Sequence, residues 1–181
     1  AEMVKYGIIS DKRYFTFLER NLTKIKSLDD KWIKYAVYHA CQLKKQVVEL
    51  DEKERGLRAI LNFGHTIGHA IESLTNYRIY LHGEAVSVGM VCASKIAARL
   101  KLLDDMWVHR IEKVLLRSGL PVRHNLSVDK IIEKLSFDKK VLDGKVRFVL
   151  PNGCFGITVI KDDVPEVIIR RVLEEQMGDV R

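Results

Sequence analysis

Residues 58–72 read RAILNFGHTIGHAIE, and this stretch sets the first expectations for the fold and the site. A helix turns by about 100° per residue, so steps of 4, 7 and 11 positions return to within roughly 40° of the start. One face therefore carries four polar side chains: Arg58, Asn62, His65 and His69. The opposite face carries an apolar row: Ile60, Phe63, Ile67, Ile71 and Leu74. Exposed helix faces are usually rich in Lys and Glu, so a row of guanidinium, amide and imidazole groups indicates a ligand or metal site.

The rest of the chain predicts a mainly α domain with a small β-hairpin near its C-terminal end. With 181 residues it can bury one core, which favours a single domain. Two apolar segments, 146–150 and 155–160, predict strands joined by the turn sequence Pro151-Asn152-Gly153. The sequence shows no alternation of strand and helix and no glycine-rich loop, so it lacks a recognisable nucleotide-binding unit. Helical periodicity predicts helices at 1–9, 12–21, 30–50, 56–75, 82–102, 104–118, 127–135 and 164–178.

Composition narrows the classes of function. The net charge of +7 is spread over many helices, which argues against nucleic-acid binding and suits a small anionic substrate. No apolar run reaches the roughly 18 residues that a membrane span requires. Cys41, Cys92 and Cys154 are odd in number and far apart, which argues against disulfides and fits a reducing cytoplasm.

Several residues could bind a metal. His65 and His69 are four positions apart, so both rings can face one ion from a single helix. His82 begins the next predicted helix, and Glu2 and Glu84 offer carboxylates. A catalytic zinc ion takes three protein ligands, which two histidines and one carboxylate would supply. Spacing alone does not choose among the three histidines.

Lysines provide further candidates for the site. Lys44 occupies a predicted apolar row of the 30–50 helix, where it either extends its charge to solvent or points into a pocket that binds an anion. Lys5 follows Glu2 by three residues, a spacing that also suits a surface ion pair. Lys139 and Lys140 precede the hairpin and would ordinarily be solvated. The other members of the row that includes Lys44 are Ile33, Val37, Ala40 and Val47.

Four stretches together resemble 3-dehydroquinate synthase: AEMVKYGII (1–9), LKKQVVELDEKERGLRAILNFGHTIGHAIE (43–72), HGEAVSVGM (82–90) and DKK (138–140). The resemblance extends from residue 1 to about residue 160. It implies a fold in which an N-terminal NAD-binding α/β domain precedes a helical metal-binding domain. Residues 1–181 resemble the second domain only, so we expect a piece of a longer protein that is inactive without its NAD-binding domain.

The resemblance also implies roles for individual residues. Glu2, His65 and His82 match the ligands of a divalent metal, Zn²⁺ or Co²⁺. His69 then belongs with the residues that contact substrate, and NAD is bound mainly by the domain that this chain lacks. The other substrate residues implied are Lys5, Lys44, Arg58, Asn62 and one of Lys139 and Lys140.

The reaction that the resemblance implies belongs to the shikimate pathway of aromatic amino acid biosynthesis. 3-Deoxy-D-arabino-heptulosonate 7-phosphate, an anionic sugar-acid phosphate, is converted to 3-dehydroquinate and phosphate by a carbon-oxygen lyase. The full-length enzyme would be a cytoplasmic homodimer without nucleic-acid or membrane partners.

Three alternatives remain at this point. The first is another sugar-phosphate cyclase, such as a 2-deoxy-scyllo-inosose synthase, whose substrate lacks the carboxylate. The second is a metal-dependent alcohol dehydrogenase of the glycerol dehydrogenase type, which uses Asp with His ligands and lacks the phosphate-binding lysines. The third is a metal-binding fragment without catalytic activity, which a turnover assay with and without the upstream segment would identify.

Overall fold

A computed structural model describes residues 1–51, 56–141 and 146–179, with the backbone alone given at 138–141. Within these ranges the chain forms helices and one antiparallel two-stranded sheet, as the sequence predicts. The helices are α1 (Glu2–Ile9), α2 (Lys12–Lys26), α3 (Asp30–Leu50), a 3₁₀ helix (Leu57–Asn62), α4 (His65–Leu74), α5 (His82–Arg99), α6 (Asp105–Arg117), α7 (Val128–Val141) and α8 (Glu166–Glu175); the strands are β1 (Phe148–Asn152) and β2 (Cys154–Lys161).

Helix α5 forms the centre of the core. Its residues from Ala85 to Ser94 are all buried, so the helix has no solvent face along that length. α4, α6, α8 and β1 all pack around it. Because α5 is enclosed in this way, its N-terminal residue, His82, is held in place by the core of the domain.

The predicted helix over 56–75 is wrong in one respect, because the chain breaks at Phe63 and Gly64. Gly64 has a φ of 79°, a left-handed conformation that ends the 3₁₀ helix and starts α4 in a new direction. A side chain at Gly64 would also collide with Met90 and the backbone of Val86 on α5. Arg58 and Asn62 therefore lie on a separate short helix and do not share one helical face with His65.

The apolar row predicted for the 30–50 helix, in which Lys44 was placed, is also partly wrong. The buried row of α3 is Ala36, Ala40, Leu43 and Val47, whereas Lys44 is exposed. Val37, which the sequence places in the apolar row, is 47% exposed. The row that faces α1 and α2 is therefore rotated by about 50° from the predicted one, and Lys44 borders this contact without entering it.

The hairpin near the C-terminus is confirmed. β1 and β2 pair in antiparallel register, with Leu150 opposite Val159, and Gly153 makes the turn with a φ of 70°. α2 and α7 are longer than predicted, and α7 includes Lys139 and Lys140 in its last turn. Among the residues that the structure describes, no helix combines the length and apolar character of a membrane span.

Candidate metal centre

Three helices converge with their N-terminal residues on one point. Glu2 begins α1, His65 begins α4 and His82 begins α5. One potential ligand atom from each lies within 4.8 Å of the other two. Tetrahedral ligands at zinc distances are about 3.4 Å apart, so the three side chains would need to move inward by at most about 1.5 Å to bind one ion.

The two carboxylate oxygens of Glu2 differ in their hydrogen bonding among the described residues. Its Oε2 accepts from the Lys5 ammonium at 2.9 Å and from the Tyr6 hydroxyl at 3.1 Å. Its Oε1 is buried and has no hydrogen-bond partner within the described part of the chain. Burial raises the pKa of this carboxyl, but Lys5 and Tyr6 outweigh burial and the net pKa is lowered. A buried anionic oxygen without a partner is costly, and a bound cation would supply the missing interaction.

His65 is held in the tautomer that a metal requires. Its Nδ1 lies 3.1 Å from the carbonyl oxygen of Phe63, which can only accept, so Nδ1 carries the proton. Nε2 is then left with its lone pair. Burial and the nearby Lys5 lower the pKa of His65 to about 4, so the ring is neutral at physiological pH. Metals bind neutral imidazole, and His65 therefore meets this condition without losing a proton.

His82 is held by a residue that the sequence analysis missed. Its Nδ1 lies 3.0 Å from Oε1 of Glu72, which again leaves Nε2 as the nitrogen available for a metal. The Glu72 side chain is 6% exposed and that of His82 is 51% exposed. A signal for Glu72 was present, because it lies three residues after His69 and seven after His65 and so extends the same polar stripe.

A second group, His69, Glu72 and His82, also brings three potential ligand atoms within 4.8 Å of one another. We favour the first group, because Glu72 is already engaged with Nδ1 of His82. The two nitrogens of an imidazole point in nearly opposite directions, so a metal on Nε2 of His82 would be out of reach of Glu72. The ring centroid of His69 lies 5.3 Å from that of His65 and 6.2 Å from that of His82. His69 therefore borders the cluster, on the exposed side.

Among the residues expected to contact substrate, Lys5 lies beside the cluster, because its ammonium is 2.9 Å from Oε2 of Glu2. The side chain of Lys5 is 3% exposed, so its ion pair with Glu2 is not the surface pair that the spacing would allow. Burial lowers the pKa of Lys5, although Glu2 opposes this effect. The nearby charge of Lys44 lowers the pKa further. The 3₁₀ helix that carries Arg58 and Asn62 contacts α1 and α3. The backbone N–H of Arg58 donates to Oδ2 of Asp51 at 2.9 Å, which fixes the start of this helix.

One earlier candidate, Glu84, lies outside the cluster, and two lysines stay unplaced. Glu84 lies outside both groups of potential ligands, because its carboxylate accepts from the backbone N–H of Leu81 at 2.8 Å and caps α5. The side chains of Lys139 and Lys140 lie outside the described residues, so their place relative to the cluster stays a prediction.

Fold and site together define a class: a helical domain that carries a candidate metal centre of one carboxylate and two imidazoles, bordered by buried and exposed cations. The sequence profile of the 3-dehydroquinate synthase C-terminal family matches residues 1–141. The chain belongs to this family, as the resemblance predicted.

Curated relatives agree with this membership. The 3-dehydroquinate synthase of Rippkaea orientalis is 48% identical over 182 residues, which cover 98% of this chain and 50% of that protein. The 3-dehydroquinate synthase of Nostoc punctiforme is 46% identical over 178 residues, covering 96% of this chain and 49% of that protein. The chain therefore spans about half the length of the curated relatives that it matches.

Solved structures of sugar-phosphate cyclases share the fold. The 2-epi-5-epi-valiolone synthase of Streptomyces hygroscopicus, determined with NAD⁺ and Zn²⁺ bound, matches with a TM-score of 0.84 at 26% identity, over 97% of this chain and 49% of that one. A 2-deoxy-scyllo-inosose synthase in complex with carbaglucose-6-phosphate, NAD⁺ and Co²⁺ matches with a TM-score of 0.73 at 27% identity, over 97% of this chain and 50% of that one.

Proposed function

We propose that the chain is the metal- and substrate-binding half of a cytoplasmic 3-dehydroquinate synthase, which converts 3-deoxy-D-arabino-heptulosonate 7-phosphate to 3-dehydroquinate and phosphate. The observation that carries the proposal is the convergence of Glu2, His65 and His82, with a buried, unpartnered Oε1 on Glu2. Family membership and the curated relatives support the choice of reaction. The NAD-binding half would precede this chain, and the full-length enzyme would be a homodimer.

The donor set suits a divalent metal such as Zn²⁺ or Co²⁺. One carboxylate and two neutral imidazoles are common ligands of catalytic zinc, and they leave a coordination position open. A metal held by Glu2, His65 and His82 would supply Lewis acidity toward substrate oxygens. The residues of this chain would hold Glu2 through Lys5 and Tyr6, and would keep His65 and His82 in the Nδ1-protonated tautomer.

The surrounding cations would bind the anionic groups of the substrate. Lys5, Lys44 and Arg58, with one of Lys139 and Lys140, would offset the charges of the substrate carboxylate and phosphate. His69, at the exposed edge of the cluster, and Asn62 would add hydrogen bonds. Because Lys44 is exposed, its ammonium can reach a bound substrate without being desolvated beforehand.

Metal titrations of three alanine variants would test the centre. We expect His65→Ala and His82→Ala to bind Zn²⁺ much more weakly, measured by competition with a chelating dye, because each removes one of three ligands. His69→Ala is the matched control on the same helix as His65, and it should retain the metal. Equal losses in all three variants would contradict this ligand set.

A turnover assay would test the reaction itself. We expect phosphate release from the heptulosonate phosphate when this chain is joined to the N-terminal half of the Rippkaea orientalis enzyme, and none from the chain alone. Glucose 6-phosphate, which lacks a carboxylate, is the matched control substrate. Preferential turnover of glucose 6-phosphate would instead favour a synthase of the 2-deoxy-scyllo-inosose type, whose solved structure binds a carbaglucose phosphate.

A further inference from the structure

Glu72 is a buried acid whose side chain has one hydrogen-bond partner among the described residues. Its side chain is 6% exposed, and Oε1 lies 3.0 Å from Nδ1 of His82, a residue ten positions later on the following helix. Burying a carboxylate away from water is unfavourable unless charged or hydrogen-bonding groups satisfy it. The position of Glu72 on the inward side of α4 therefore requires a reason, and His82 is the partner that the geometry provides.

We propose that Glu72 is a positioning residue that holds His82 in the orientation and tautomer needed to bind the metal. The proposal rests on the metal centre proposed above. Without the hydrogen bond, the ring of His82 could rotate, because its side chain is 51% exposed and sits on the first residue of α5. The carboxylate fixes the proton on Nδ1 and directs Nε2 toward Glu2 and His65. Partners of this kind typically contribute 10- to 100-fold to metal affinity.

The hydrogen bond between Glu72 and His82 also distinguishes two possible roles of Glu72: holding His82 in position and binding the metal directly. Glu72 also belongs to the group formed with His69 and His82, in which its oxygen would bind a metal itself. A metal bound by Nδ1 of His82 and Oε1 of Glu72 would have to replace the 3.0 Å hydrogen bond between these two atoms. The hydrogen bond and metal ligation through this pair of atoms are therefore mutually exclusive.

The first test compares Zn²⁺ affinity in four variants of the chain, using competition with a chelating dye. Glu72→Gln keeps the shape of the side chain but loses its charge, and should weaken Zn²⁺ binding about 10- to 100-fold. Glu174→Gln removes the same charge from an exposed position on α8 and should leave the affinity unchanged. If Glu72 acts through His82, then Glu72→Gln should have little further effect in a His82→Ala background. A loss of the same size in both backgrounds would show that Glu72 binds the metal independently.

The second test needs no variant, so it decides the matter even if Glu72→Gln does not fold. In NMR spectra of the Zn²⁺-loaded chain with ¹⁵N-labelled histidine, we expect the proton of His82 on Nδ1 and the metal on Nε2. Zinc on Nδ1, or an unchanged affinity in Glu72→Gln, would overturn the positioning role while leaving the metal centre in place. If the unaltered chain binds no Zn²⁺, the proposed metal centre fails and the inference fails with it.

Discussion

Helices α4 and α5 pack closely at Gly89, and this contact predicts the effect of a single methyl group. A Cβ placed on Gly89 would lie 1.9 Å from the carbonyl oxygen of Gly64 and 3.0 Å from the backbone nitrogen of Gly68. Ordinary contact begins at 3.4 Å, so Gly89→Ala must separate α4 from α5 by about 1.5 Å at this point. The obstacle is backbone, which cannot rotate away as a flexible side chain could.

The expected consequence is a loss of both stability and metal binding. A gap of 0.5–1 Å already removes a quarter to a half of the dispersion energy between facing atoms, and overpacking typically costs 1–3 kcal/mol. We therefore expect Gly89→Ala to lower the free energy of unfolding by about 3 kcal/mol, or the melting temperature by about 6–12 °C. Metal distances tolerate only about 0.2 Å, and His65 and His82 lie on the two displaced helices, so Zn²⁺ affinity should fall more than about tenfold.

Thermal unfolding of the metal-free chain and a Zn²⁺ competition titration would measure the two effects. Gly83→Ala is the matched control on the same helix, because its added Cβ would meet only the Cβ of Ala1 at 3.3 Å within the described residues. It should change stability by no more than about 1 kcal/mol in either direction. If Gly89→Ala were as mild as Gly83→Ala, the close packing of α4 on α5 would not be what sets the spacing of the two histidines.

Three further predictions concern the site. Tyr6→Phe removes one of the two contacts to Oε2 of Glu2, while Lys5 retains the other. The Zn²⁺ affinity, measured by competition titration, should therefore fall by no more than about tenfold, and a complete loss would contradict this. Because the pKa of His65 is about 4 when folded and 6.5 ordinarily, the unfolded chain binds more protons between these values, and the metal-free chain should lose stability as pH falls through this window. Urea denaturation should show a loss below about 3 kcal/mol, reduced by solvent screening and largely absent in His65→Gln. Arg58→Ala should weaken binding of the heptulosonate phosphate in calorimetry without changing metal content, and an unchanged affinity would exclude its proposed role.

The elements that the sequence predicted well depend on local rules. The turn at Pro151-Asn152-Gly153 contains a glycine that can adopt the φ of 70° which the hairpin needs. The buried side chains of α4 recur at helical spacing, as Ile67 and Ile71 do, and they pack into the core as expected. Both patterns can be recognised from a few neighbouring residues, without knowledge of distant contacts.

The break at Gly64 could not be read in the same way, because it depends on a distant helix. The apolar row passes through Phe63 and Ile67 without losing helical period, so the sequence gives no sign that the helix stops. The approach of Gly89 on α5 to the carbonyl of Gly64 becomes visible only when the two helices are packed together.

Lys44 illustrates a different limit. In α3 two apolar rows, one through Val37 and one through Leu43, share Ala40 and Val47, and either satisfies a period of 3.6 residues. Only the packing of α3 against α1 and α2 selects the row that contains Leu43 and leaves Lys44 exposed. Periodicity can thus identify a helix while assigning the wrong residue to its buried face.

The spacing of the histidines could not identify the candidate metal ligands, for a related reason. His65 and His69 are equivalent as an i, i+4 pair, and what separates them is the partner of each ring nitrogen. His65 donates to the carbonyl of Phe63, an atom placed by the break at Gly64, and His82 is held by Glu72. The break at Gly64, which the sequence did not predict, thus also sets the tautomer of His65.

The placement of all three candidate ligands on the first residues of helices has an electrostatic consequence. Helix N-termini carry partial positive charge, which stabilises the carboxylate of Glu2. The same positive ends disfavour a bound cation, and the carboxylates of Glu2 and Glu72 oppose that effect on the two sides of His82. Lys5, which is buried beside Glu2, and Lys44, which is close to Lys5, offset these two carboxylates, so a bound divalent metal would make the cluster positive overall. A site built in this way can hold a divalent metal and, once the metal is bound, attracts an anion more strongly, which is the combination that a phosphorylated sugar acid requires.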